Sequence, residues 1–166
     1  MGAPPGGTRV RGMTEASAAT PGSLASLIWF WYGEEEYRRL ILLGELGPAL
    51  QFLAGDAEWQ LANIGCCADC DLWSSYLDHL EAFVEGFPPR LQPRAHGQLQ
   101  ALLAACMTLS HGAYVNLEGN NFEHPEWAPL RTAAQGALAL LGWQEIEADM
   151  PALVEDCRAA LEKWPG

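Results

Sequence analysis

Thirteen residues of this chain are Val, Ile or Thr, against 25 Ala and 24 Leu, and that imbalance decides the fold class. Branching at Cβ stiffens χ1 and suits a pleated surface, whereas Ala and Leu lose little side-chain freedom in a helix. A chain of 166 residues with so few β-branched side chains cannot furnish a sheet domain. An all-α fold is expected, and 49% apolar residues supply its core.

Residues 1–22 are mostly Gly, Pro, Ala, Ser and Thr, with almost no large apolar groups. Burial there cannot offset the entropy of ordering, so this segment is expected to be disordered, and Met13 is a second candidate for the natural start. The remainder, 23–166, reads as a single helical bundle. An aromatic lead-in over 24–32 precedes about six helices, near 34–46, 48–65, 70–87, 97–113, 126–142 and 150–164. Gly47-Pro48 is read as a break between the first two. Asp69 is read as the cap of the third, which Gly86 and Pro88-Pro89 stop.

The third helix has the clearest period. Leu72, Trp73, Tyr76, Leu77, Leu80, Phe83, Val84 and Phe87 share one arc, and Asp71, Asp78, Glu81 and Glu85 the opposite one. The last helix gathers Met150, Leu153, Val154, Cys157, Leu161 and Trp164 in the same way. Residues 95–117 and 132–144 carry no Asp, Glu, Lys or Arg. Helices neutral all round belong at the centre of a bundle, so these two are expected there.

Formal net charge is −12. A field of that sign repels phosphates and anionic headgroups, which disfavours nucleic acid and membrane surfaces as partners and favours a basic protein. The aromatic run 24–32 is too short to span a bilayer, and the start lacks the pattern of an export signal. Five cysteines, an odd number with three in five positions, suit a reducing cytoplasm better than a disulfide framework.

The acids are segregated. Between Arg39 and Arg90 lie fifty residues without a Lys or Arg, and they hold eight acids. Asp78, Glu81 and Glu85 are spaced three and four apart, where like charges weaken a helix by about 0.2–0.5 kcal/mol per pair. Such a surface steers a cationic partner and rejects wrong ones. A plain acidic, solvated face is the alternative.

Other chemistry is thin. Cys66-Cys67-Ala68-Asp69-Cys70 holds one Cys-x-x-Cys without a strand before it or a second ligand pair, so small buried thiols at a helix junction are the preferred reading. The loop from Tyr114 to Trp127 gathers Asn116, Glu118, Asn120, Asn121, Glu123 and His124, with Gly119-Asn120 as a turn. It is long enough to contact a partner. No catalytic residue, metal or cofactor is assigned. Among the tryptophans, Trp29 and Trp31 are the candidates for an interface.

The reading that follows is an acidic module that occludes a basic protein, a toxin or effector, in the manner of an immunity protein or antitoxin. Its partner-binding residues are Asp71, Asp78, Glu81, Glu85, Trp29, Trp31, Glu118, Glu123 and His124. Two alternatives stay open: a secretion or assembly chaperone for an effector, and a small metal- or thiol-dependent enzyme.

Overall fold

The helix Tyr37–Ala54, α2, is the axis of the fold in the computed structural model, which describes residues 24–87 and 93–163. Leu40, Leu43, Leu46, Leu50 and Leu53 are shut away on it together with Phe52. Those positions cover more than one stripe, so the helix is enclosed by several neighbours. Chief among them are α5 (Asp78–Gly86), α8 (Trp127–Leu141) and α10 (Met150–Lys163).

The all-α expectation holds, but α2 runs straight through Gly47-Pro48. Proline's missing N–H deprives the Gly44 carbonyl of its helix partner, and packing on the flanking turns outweighs that loss. Gly47 is there for close approach rather than as a stop: a methyl at this position would overlap the Trp143 ring, as one at Gly44 would overlap Val154. The break comes instead at Gly55. Asp56 then caps α3 (Ala57–Asn63), its carboxylate accepting the Trp59 N–H at 2.8 Å.

Before α2, a 3₁₀ turn (Leu24–Leu27) leads into α1 (Ile28–Gly33). After α3, a rod runs without interruption through α4 (Ala68–Asp71), a π-helical stretch (Leu72–Leu77) and α5. Leu72 and Leu77 are both buried although five residues apart, the repeat of a π turn rather than of an α-helix. That extra residue rotates Trp73 off the buried arc and leaves it 38% exposed, a departure from the expected periodicity. Asp69 is not the cap either; Cys67 holds that position.

Beyond the rod come α6 (Pro93–Met107) and α7 (His111–Tyr114), then a two-stranded hairpin, β1 (Val115–Asn116) and β2 (Gly119–Asn120). Val115 pairs with Asn120 and Asn116 with Gly119, antiparallel. The turn is therefore Leu117-Glu118, and Gly119-Asn120 is the returning strand. Gly119 has a φ of +123°, open to glycine and strained for other residues. Gly142 ends α8, and α9 (Trp143–Ile146) leads to α10.

The charge-free stretch 132–144 falls mostly in α8, but 95–117 is not one helix as expected: it breaks after Met107, where α6 ends, and runs on through α7 into β1. α6 and α8 pack on each other. Only α8 also lies on the axis. α6 turns Gln100, Ala101, Ala104 and Ala105 to solvent, because alanine and glutamine make a neutral surface as readily as an interior. Among the described residues no helix is long and apolar enough to cross a membrane. Residues 1–22 with Met13, Pro88-Pro89 and Trp164 lie outside the described residues.

Candidate functional site

Burial of Leu80, Phe83 and Phe87 fixes how α5 is turned, and its opposite face carries the acids. Asp78 and Glu85 are exposed and Glu81 is half-buried, a stripe about 10 Å long at 1.5 Å per residue. Among the described residues, no Arg or Lys pairs with any of the three. His79, next to Asp78 in the chain, turns to Glu45 (3.7 Å), which Arg158 also holds at 2.8 Å. Arg39 pairs with Glu36 at 3.2 Å. Arg131 is spent on the interior, donating to the Gly55 and Phe122 carbonyls and to Gln60. Arg39, Arg131 and Arg158 are thus committed elsewhere.

Asp71 does not belong to that stripe. Its Oδ2 accepts the Gly65 and Cys66 N–H groups, both at 2.7 Å, so the carboxylate ties the loop before α4 to the rod. Trp31 is likewise a structural residue: 2% exposed, its ring edge-on to Phe87 with centroids 5.3 Å apart. Residues two apart face different sides of a helix, so burying Trp31 turns its neighbours outward. Trp29 and Phe30 are 62% and 61% exposed. The Trp31–Phe87 contact brings α1 to the residue that follows α5.

The hairpin region is built by its asparagines. Asn120 Oδ1 accepts the Ala68 N–H (2.8 Å), Asn121 Nδ2 donates to the Gly112 carbonyl (2.6 Å), and Asn116 Oδ1 accepts the Glu118 N–H (2.8 Å). Glu118 and Glu123 are exposed, and the Glu123 charge acts on Arg131. His124 lies 3.9 Å from Glu126, whose carboxylate accepts both the N–H and the hydroxyl of Ser110 at 2.8 Å. Those Ser110 hydrogen bonds, with His124 adding to them, hold the Glu126 carboxyl below its usual range.

Two features were not anticipated. Leu117 at the hairpin tip is fully exposed, with Val115 and Trp73 also showing apolar surface. Separately, a cleft of about 680 Å³ opens between the α1–α2 turn and α10, lined by Tyr32, Glu35, Tyr37, Asp156 and Lys163. Burial, then the Glu35 charge, pushes the Tyr37 phenol up. The first signal was legible as a leucine between Asn116 and Glu118. The second was not, since Glu35 and Asp156 are far apart in sequence.

The cysteines also differ from expectation. Cys106 and Cys157 are buried, but Cys66 and Cys70 are exposed and Cys67 is partly so. Among the described residues no cluster of three or more His, Cys, Asp or Glu is placed to hold a metal ion. No family model, no curated protein and no solved structure matches this chain significantly.

Proposed function

We propose that the chain is a protein-binding module that seats a basic protein on the α5 stripe and its α1 flank, covering cationic surface on that partner as an immunity protein or antitoxin does. The observation carrying this reading is that Asp78, Glu81 and Glu85 stand together without a cation among the described residues, while Arg39, Arg131 and Arg158 are committed elsewhere. Unneutralised charge of one sign raises encounter rates with an opposite partner by about 10–10³. The exposed Trp29 and Phe30 on α1 supply apolar anchors, the kind of residue that carries binding energy once desolvated.

The test has two steps. Basic proteins retained by the immobilised chain at low salt are identified. The on-rate of the retained protein is then measured on wild type and on the Glu81→Lys/Glu85→Lys variant at low and high salt. The expected result is an on-rate at least tenfold lower for the variant at low salt, with the gap closing as salt rises. Equal rates with equal salt dependence overturn the proposal.

A chaperone for an effector is the second reading, favoured by one observation. A groove of about 430 Å³ between α6 and α8 is lined by Ala101, Leu102, Ala105, Leu109, Pro129 and Leu130, which suits the apolar face of a client helix. Ala105→Glu separates the two: it abolishes client binding in the groove and leaves a stripe-dependent on-rate unchanged.

A further inference from the structure

Two of the exposed-corner thiols are arranged as a pair. Cys67 precedes α4 in an extended conformation (φ −135°, ψ 148°), and its Sγ accepts the Cys70 N–H at 3.2 Å. The Cys67 side chain also acts on the Cys70 thiol. Three residues along a helical turn place Cα atoms about 5 Å apart, inside the 4.4–6.8 Å window of a disulfide. Cys66 and Cys67, adjacent at about 3.8 Å, fall below it. The surrounding backbone is already fastened, by Asp71 to Gly65 and Cys66 and by Asn120 to Ala68. Joining the two sulfurs therefore asks for side-chain rotation and leaves the chain path alone.

We propose that Cys67 and Cys70 form a dithiol–disulfide exchange site whose substrates are small cationic or uncharged disulfides. One protein thiolate attacks a sulfur of the disulfide RSSR, forming a mixed disulfide and releasing RS⁻. The second protein thiolate then displaces the remaining RS⁻, closing the Cys67–Cys70 bond. Two protein thiols are oxidised, RSSR is reduced to two RSH, and the two thiol protons leave with the products. Asp69 and Asp71 flank the pair with negative charge, which disfavours an anionic disulfide. The hydrogen bond to Cys67, with the neighbouring Cys67 charge adding to it, pushes the Cys70 thiol up to about 11. Exchange through Cys70 accordingly accelerates with pH, about tenfold per unit below that value.

The experiment treats the full chain with cystamine or with oxidised glutathione and follows intact mass and disulfide-linked peptides. Wild type is expected to end two hydrogens lighter, with a Cys67–Cys70 linked peptide and no lasting adduct, faster with cystamine than with the anionic glutathione disulfide. Cys67→Ser and Cys70→Ser each stop at a mixed disulfide, whereas Cys66→Ser closes like wild type. Serine keeps a capping acceptor at position 67, so that variant retains the helix start. Lasting adducts on wild type, closure that survives in Cys70→Ser, or closure lost in Cys66→Ser overturns the proposal.

Discussion

The Arg131 guanidinium donates to Gln60 Oε1 at 2.6 Å, and Gln60 is the one fully buried glutamine among the described residues. The same Arg131 nitrogen donates to the Phe122 carbonyl at 2.6 Å, and Nε to the Gly55 carbonyl at 2.8 Å. Gln60 in turn donates to the Phe52 carbonyl at 3.1 Å. One side chain from α8 thus ties together the end of α2, the helix α3 and the segment after the hairpin.

Arg131→Met keeps the aliphatic stem and leaves three acceptors without a donor. Charged hydrogen bonds are individually worth about 1.5–3 kcal/mol, and an orphaned buried acceptor is penalised further, so a loss of about 2–4 kcal/mol is expected in urea denaturation. Arg131→Lys should fall between, since one ammonium cannot reach all three sites. An Arg131→Met midpoint equal to wild type would show that the bonds are replaced by water at no cost.

Gly47 and Trp143 make a second measurable pair. Gly47→Ala drives a methyl into the indole and should cost about 1–3 kcal/mol, as overpacking does. Trp143 Nε1 is buried with no hydrogen-bond partner among the described residues, so Trp143→Phe removes both an orphan donor and the crowding ring atoms. The double variant should therefore be less destabilised than the two single changes added together, by at least about 0.5 kcal/mol. Strict additivity in thermal unfolding would place the clash elsewhere.

Glu126 predicts an acid-side effect. Its carboxyl is held below the usual range in the folded chain, chiefly by the Ser110 N–H and hydroxyl. A depressed carboxylate contributes stability that is complete above the unfolded value near 4.5 and is lost as pH falls through the folded one. Glu126→Gln should thus be less stable than wild type at pH 6, with the difference shrinking between pH 4.5 and 3. A gap that stays constant over that range would mean the lost contact is not ionic.

The helical class was readable because Ala and Leu dominate, and the ends of α8 and α10 because Gly142 and the Asp149-Pro151 start obey local rules. The course of α2 was not. Gly47-Pro48 reads as a stop in isolation, and only the Trp143 ring, nearly a hundred residues away, explains the glycine. The π turn is equally silent, since a strict 100° repeat puts Trp73 inside. For the candidate site, the stripe Asp78–Glu81–Glu85 needed only spacing, whereas separating exposed Trp29 from buried Trp31 needed to know that Phe87 lies beneath the second.

The stripe itself makes the last prediction. Glu81 sits three residues after Asp78 and four before Glu85, so a lysine there exchanges two repulsions for two attractions. Glu81→Lys should stabilise the folded chain by about 0.5–1 kcal/mol at low salt, less at high salt, read from denaturation midpoints. A surface kept for binding is expected to forgo stability of this kind, and the same substitution that raises the midpoint should lower the on-rate of a basic partner. If Glu81→Lys instead destabilises the chain, the carboxylate holds structure in place, and its position no longer argues for a docking role.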